Sequence, residues 1–283
     1  MSGGADLHTH TTASDGRLTP AELVRCAVGR GVKVLAITDH DSTDGLGEAF
    51  AEVARHPEMT LVPGIELSTD VPNGEVHVLG YYMDYGDEAF QETLQTFREA
   101  RIDRARRMVE KLAALGMPID WERVKELAGD GAVGRPHIAQ ALVERGHVAD
   151  MREAFEKWIG RNGPAYAERH KLLPEDAVRL LTEHGGLPVL AHPGDIPELD
   201  EMLERLKAAG LIGMEVYYAD YPAELQSQLL AVAERHSLIP LGGSDFHGPD
   251  SSAGVPLGHT NLPLASARRL IALRERHKLP TPS

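Results

Sequence analysis

The sequence predicts an α/β protein whose core is a seven-stranded barrel or strongly curled parallel sheet, interrupted by a helical insertion. Seven short apolar segments, each bounded by glycine, proline or polar turns, are typical of buried strands. Helical patterns separate most of these segments, and such alternation favours parallel strands joined by crossover helices. One long stretch, residues 99–168, carries helical patterns without a strand signal.

The first strands and the helix between them are the most sharply marked elements. The predicted strands cover residues 5–10, 32–40, 60–67, 75–82, 186–193, 213–218 and 238–247. Thr19-Pro20-Ala21-Glu22 predicts a helix start, because threonine caps the first turn, proline fits its first position and Glu22 reaches back to the cap. We expect this helix over residues 20–29, with Gly31 releasing the chain into the second strand.

The helical stretch divides the predicted barrel into two parts of the sequence. No low-complexity linker or internal repeat accompanies it, so we expect a compact cap packed on the barrel. The predicted domains are therefore a barrel of residues 1–98 and 169–283 and a helical insertion of residues 99–168.

Composition and charge narrow the classes of function. The chain has 283 residues, of which 42% are hydrophobic and 25% charged, as in ordinary globular proteins. No segment has the apolar length that a bilayer requires, and the single cysteine, Cys26, can form no intrachain disulfide, so we expect a cytoplasmic protein without a membrane partner. A formal net charge of -14 argues against duplex DNA, although bound cations would admit a small anionic substrate to one cleft.

Polar residues interrupt six of the seven predicted strands at or near one end. Because the carboxyl ends of barrel strands open on one face, we expect nine side chains to converge there: His8, His10, Asp15, His40, Glu66, His77, His192, Asp245 and His247. A lone histidine near a strand end is more often structural, but nine buried polar groups together would be costly unless cations bound them. We expect Asp39 and Asp41 to orient His40.

The predicted ligand set combines imidazole and carboxylate groups without a thiolate. Such a set suits manganese, iron or zinc, and we expect manganese; magnesium fits poorly because it prefers oxygen ligands. Nine ligands also exceed the coordination of one ion. We therefore expect at least two divalent metal ions. The remaining histidines near helix ends and in the last segments are expected to be structural or solvated: His56, His184, His236, His259 and His277.

These motifs resemble the polymerase and histidinol phosphatase (PHP) superfamily. The matching segments are DLHTHTTASDG, TDHD, GIE, VHVLGY, AHP and GSDFH. The resemblance implies a distorted seven-stranded (β/α)7 barrel with two or three metals held by the nine residues above. It also implies one metal beside His8, His10, Glu66 and Asp245, a second beside Asp15, His40 and His247, and a third beside His77, His192 and Glu66.

Two motifs of the insertion, GRPH at residues 134–137 and GPAY at residues 163–166, resemble the superfamily branch of bacterial nucleoside 3',5'-bisphosphate phosphatases and 5'-3' exoribonucleases. This resemblance implies a metal-dependent phosphoesterase that releases a 5'-monophosphate and phosphate by attack of metal-activated hydroxide. Arg135 and His137 are candidate catalytic and substrate-binding residues, since a guanidinium matches phosphate oxygens and an imidazole can protonate a leaving oxygen. Tyr166 is a further candidate for substrate binding.

Three alternatives remain open at this point. The same site could trim the 5' ends of short RNA, act as a histidinol-phosphate-type phosphatase, or bind metal without catalysis. All nine predicted ligands are present, which argues against a decayed, non-catalytic site. For Arg135, the structural alternative is an exposed residue at a helix start.

Overall fold

A computed structural model describes residues 4–71, 74–129, 133–168, 172–218, 221–249 and 255–277. The chain divides into two compact units. The first unit comprises Met1–Gln91 and Leu172–Ser283, and the second unit comprises Glu92–Lys171. Each unit has its own hydrophobic core, which in the second unit is built around Met108, Leu112, Ile138 and Leu142.

The first unit contains one seven-stranded sheet whose strands follow one another in sequence order. The strands are β1 (Ala5–Asp6), β2 (Val34–Ile37), β3 (Thr60–Val71), β4 (Gly74–Tyr81), β5 (Leu187–Leu190), β6 (Gly213–Glu215) and β7 (Ile239–Leu241). Beyond the two edge strands, Thr9 and Phe246 form a parallel bridge, and the His10 N–H donates to the Phe246 carbonyl over 2.9 Å. The sheet therefore curls until its first and last strands meet, which confirms the predicted α/β class.

Strand β4 departs from the all-parallel prediction. It runs antiparallel to both β3 and β5, whereas the β1–β3 and β5–β7 pairings are parallel. Only two residues separate β3 from β4 in the sequence, too few for the crossover that a parallel pair requires. The amino-terminal half of β4 therefore lies at the face where the parallel strands have their carboxyl ends.

Helices connect the strands and build the second unit. In the first unit these are α1 (Pro20–Gly29), α2 (Leu46–Val53), α7 (Pro174–Glu183), α8 (Leu199–Ala209), α9 (Ala223–Arg235) and α10 (Leu264–His277). Helix α3 (Glu88–Ala114) starts in the first unit and continues into the second, which also contains α4 (Trp121–Ala128), α5 (Arg135–Glu144), α6 (Met151–Ala154) and a π-helical turn (Phe155–Ile159). Among the described residues, no helix has the length and apolar character to cross a bilayer.

Helix α1 has the predicted bounds and the predicted cap. The Thr19 hydroxyl accepts from the Glu22 N–H over 3.3 Å, and the Glu22 carboxylate accepts from the Thr19 N–H over 2.9 Å. These reciprocal bonds satisfy two backbone donors that the first helical turn leaves unpaired.

Candidate metal centre

The structure brings all nine predicted ligand residues together in the first unit. Two histidines follow β1, Asp15 lies in the next turn, and the others lie in or just beyond β2, β3, β4, β5 and β7. Of the nine residues, only His77 lies in the antiparallel strand β4. It pairs with Ser68 in the β3–β4 ladder, in the amino-terminal half of β4, and its ring therefore reaches the same face as the others.

Glu66 lies at the middle of this cluster. Its Oε2 is within 3.3 Å of one ring nitrogen each of His8, His10 and His40. Its Oε1 lies 2.7 Å from His77 Nδ1 and 3.3 Å from His192 Nε2. Glu66 thus faces two sets of imidazoles, one with each oxygen. Because a carboxylate has two oxygens, it can hold two cations.

Three overlapping groups of side chains could each hold a cation, with donor atoms within 4.8 Å of one another. The groups are His8, His10, Glu66 and Asp245; His10, Asp15, His40 and His247; and His40, Glu66 and His77. His192 extends the third group, since its Nε2 lies 3.1 Å from His77 Nδ1. The first group has the membership that the family resemblance implies. His10, His40 and Glu66 each belong to two of the groups.

Several atoms of the cluster are buried without a hydrogen-bond partner within the described part of the chain. They are His8 Nε2, both ring nitrogens of His10, Asp15 Oδ1, Glu66 Oε2 and Asp245 Oδ1. Leaving so many buried polar atoms unsatisfied is costly, and coordination to cations removes that cost. The nitrogen and oxygen donors thus fit divalent metal ions.

The histidines and carboxylates of the cluster shift one another's pKa values. Burial alone would lower the pKa of His10, but the neighbouring carboxylates Asp245 and Glu66 outweigh it and raise that pKa to about 10. Burial alone would raise the pKa of Glu66, yet the imidazoles of His40, His8 and His77 hold it well below its usual range. Protons therefore balance the carboxylates when no metal is present, and metal binding has to displace them.

A fully buried glutamate, Glu215 at the end of β6, is a member of the site that the sequence analysis missed. Its two oxygens lie 3.2 and 3.1 Å from His8 Nδ1, and one of them accepts from the His192 N–H over 2.8 Å. The sequence already indicates this role, because a glutamate inside the apolar segment GMEVYY is expected to be buried and therefore paired with another polar group.

Asp39 differs from its predicted role. Its carboxylate accepts from the Thr11 N–H over 2.7 Å, the Thr11 hydroxyl over 2.7 Å and the Ser14 hydroxyl over 2.6 Å. Asp39 therefore stabilises the turn that leads to Asp15. We had expected it to hydrogen-bond to His40 instead. Asp41, the other residue expected to orient His40, accepts from the Ser68 N–H over 3.2 Å and so links the chain after β2 to β3.

Two further residues hold Asp245 in place. The Tyr218 hydroxyl donates to Asp245 Oδ2 over 2.8 Å, and buried Asp6 accepts from both the N–H and the hydroxyl of Ser244. Asp245 itself has a φ of 52°, a left-handed conformation that aspartate tolerates better than most residues. Just before it, a side chain at Gly243 would place its Cβ 2.3 Å from His8 Cβ, so this close approach requires glycine.

Three histidines expected to be structural pair with carboxylates outside the ligand groups. His56 Nε2 lies 3.4 Å from Glu52, His184 Nδ1 lies 3.5 Å from Asp87, and His236 Nε2 lies 2.6 Å from Asp200. These histidines lie outside the three candidate ligand groups, and a structural role for them stays a prediction.

The three predicted substrate-binding residues lie in the second unit. Arg135 and His137 occupy the first turn of α5, where the Arg135 guanidinium lies 5.6 Å from the centre of the Phe155 ring. His137 Nδ1 accepts from the Gly134 N–H over 3.0 Å. The Tyr166 ring lies 5.0 Å from the Arg104 guanidinium. Contact of these residues with a substrate stays a prediction.

Comparison with known proteins shows which family the chain belongs to. Residues 6–161 match the PHP domain family, more than half of the 283-residue chain. The chain belongs to the PHP domain family. The predicted superfamily is thereby confirmed, as is the prediction of a metal-dependent phosphoesterase, which the relatives below support.

Two relatives and one solved structure are similar to this PHP protein over nearly its whole length. It is 40% identical to the 5'-3' exoribonuclease Rnm of Salmonella typhimurium, over 86% of this chain and 85% of that one. It is 36% identical to the 3',5'-nucleoside bisphosphate phosphatase of Chromobacterium violaceum, over 90% of both chains. A crystal structure assigned as a metal-dependent phosphoesterase from Bifidobacterium adolescentis is 32% identical, covers 96% of both chains and superposes with a TM-score of 0.87. These likenesses confirm the PHP-type barrel.

Proposed function

We propose that this PHP protein hydrolyses the 3'-phosphate ester of a nucleoside 3',5'-bisphosphate and releases the 5'-monophosphate and phosphate. The observation that carries the proposal is the position of Glu66, whose two oxygens face two sets of imidazoles and so suit a centre with more than one cation. The bisphosphate phosphatase of Chromobacterium violaceum, 36% identical over 90% of both chains, supports the choice of substrate.

We propose two or three divalent ions, with manganese as the metal. His8, His10, Glu66 and Asp245 would hold one ion, Asp15, His40 and His247 a second, and Glu66, His77 and His192 a third. When bound, the ions activate water and stabilise charge on the phosphoryl oxygens. Hydrolysis forms a bond from the water oxygen to phosphorus and breaks the bond from phosphorus to the 3' oxygen, which then needs a proton.

We propose that the helical insertion, residues 99–168, acts as a cap that supplies this proton and binds the second phosphate. His137 Nδ1 accepts from a backbone N–H, so the proton of the neutral ring lies on Nε2, from which it can be donated to a leaving oxygen. The Arg135 guanidinium suits the 5'-phosphate, because the cations already neutralise the reacting phosphate. We propose that Tyr166 contacts the nucleotide. We also propose that the enzyme is cytoplasmic, since its single cysteine does not require an oxidising compartment.

A second candidate function is 5'-3' exoribonuclease activity at the same site, which the 40% identity to Rnm supports. A screen of manganese-loaded protein against adenosine 3',5'-bisphosphate, 3'-AMP, 5'-AMP and short 5'-phosphorylated RNA separates the two. We expect the bisphosphate to give 5'-AMP and phosphate with the highest kcat/KM. Faster shortening of RNA from its 5' end would favour the second candidate, and hydrolysis of none of the four would contradict both.

A further inference from the structure

Glu215 occupies an unusual environment for a carboxylate. Its side chain is 0% exposed, and no Lys or Arg of the described residues lies within ion-pair distance of it. A charge buried in this way is stable only when neighbouring groups compensate it. The groups that contact it are the His8 ring and the His192 backbone, two parts of the candidate metal centre.

The contact with His8 decides which ring nitrogen is available. A carboxylate only accepts hydrogen bonds, so His8 Nδ1 must carry the proton that faces Glu215. When the ring loses its second proton, the lone pair therefore lies on Nε2, which is 3.2 Å from Glu66 and 3.3 Å from Asp245. In metal sites, a carboxylate behind a histidine fixes the ring in this way and raises its basicity.

The contact with His192 holds a strained backbone. His192 has a φ of 28°, in the left-handed region that residues other than glycine rarely adopt. The hydrogen bond from its N–H to Glu215 stabilises this conformation, and the ring then reaches His77 Nδ1 at 3.1 Å. His8 and His192 belong to different groups of candidate ligands, yet they share this one carboxylate.

We propose that Glu215 is a positioning residue that couples the two ends of the metal centre, by fixing the His8 ring with Nε2 towards one cation and the His192 backbone beside another. The proposal rests on the proposed metal centre and does not depend on the identity of the substrate. Glu215 acts through these two histidines and is not itself a ligand.

The test compares Glu215→Gln with a matched control, Glu52→Gln. Glu52 is also a buried glutamate, 6% exposed, but its partners are Arg25, Arg55 and His56, all outside the ligand groups. We expect Glu215→Gln to fold, as judged by circular dichroism, and to bind Mn²⁺ about 10–100-fold more weakly than the wild type in calorimetry. Excess Mn²⁺ should restore most of its turnover. Glu52→Gln should lose thermal stability without metal but keep the wild-type affinity for Mn²⁺.

A folded Glu215→Gln variant with wild-type Mn²⁺ affinity would overturn the proposal. A second measurement needs no variant of Glu215: in ¹⁵N spectra of the Zn²⁺-loaded wild type, the His8 signals should show a protonated Nδ1 and a metal-bound Nε2. The opposite tautomer would also overturn the proposal. Since neither readout involves a nucleotide, failure of the proposed phosphatase activity leaves both tests intact.

Discussion

His77 Nδ1 lies 2.7 Å from Glu66 Oε1, although the two residues belong to neighbouring strands that run in opposite directions. Their register explains the contact. His77 pairs with Ser68, two residues beyond Glu66, so the two side chains are diagonal neighbours on one face of the sheet. The hairpin of β3 and β4 thus places an imidazole against the carboxylate at the middle of the cluster.

The first prediction concerns Glu66. Glu66→Gln should bind fewer Mn²⁺ ions than the wild type, because an amide offers one acceptor oxygen where the carboxylate offers two and a charge. We expect kcat/KM to fall by about 100-fold or more, equivalent to about 2.7 kcal/mol of transition-state stabilisation. Elemental analysis and steady-state kinetics measure the two effects. Full metal content in the variant would argue against a bridging role.

The second prediction concerns the segment after β7. Asp245→Ala and His247→Ala should each abolish turnover while the barrel stays folded, since residues at this face serve the site more than the core. His259→Ala, at an exposed position in the same part of the chain, is the control and should keep wild-type activity. Circular dichroism and a phosphate-release assay decide the outcome. Retained activity in either site variant would place the centre elsewhere.

The third prediction concerns pH. In the metal-free protein the pKa of His10 is raised from 6.5 to about 10, so the stability it contributes is fully present below pH 6.5 and is lost as the pH rises towards 10. Cations need the unprotonated ring and therefore bind more tightly as the pH rises. The difference in Tm between manganese-loaded and metal-free protein should be larger at pH 9 than at pH 7. A difference independent of pH would contradict proton displacement.

The fourth prediction concerns Arg135. If its guanidinium binds the phosphate that is not cleaved, Arg135→Ala should lose more kcat/KM on a nucleoside bisphosphate than on an aryl phosphate, by about 2 kcal/mol. Arg106→Ala is a matched control, because Arg106 also packs on an aromatic ring in the second unit, at 5.3 Å from the Trp121 ring centre. Equal losses on both substrates would indicate damage to folding or metal binding.

The fifth prediction concerns the turn after β1. Asp39→Ala removes the acceptor of three donors of Thr11 and Ser14, both of which are buried. We expect the free energy of unfolding to fall by about 3 kcal/mol, because unsatisfied buried donors are costly. Urea denaturation measures this change. Asp44→Ala, at an exposed position shortly after, should change it by less than about 0.5 kcal/mol.

Local patterns in the sequence were enough for the α/β class, the bounds of α1 and the nine residues of the cluster. Capping by Thr19 and Glu22 depends on neighbours three residues apart, so the sequence states it directly. The polar residues after apolar strands are equally local, and barrel geometry brings such strand ends together whatever the loops between them.

Only the tertiary structure decided the direction of β4 and the partners of the buried carboxylates. Strand β4 pairs antiparallel to β3, and the register of the two strands then determines which face His77 occupies. Glu215 meets His8 across 207 residues of sequence, and Asp39 meets Ser14 across 25. The sequence by itself determined which side chains could bind metal, but their orientation depends on hydrogen bonds between distant residues, which exist only once the sheet has curled and brought its strands together.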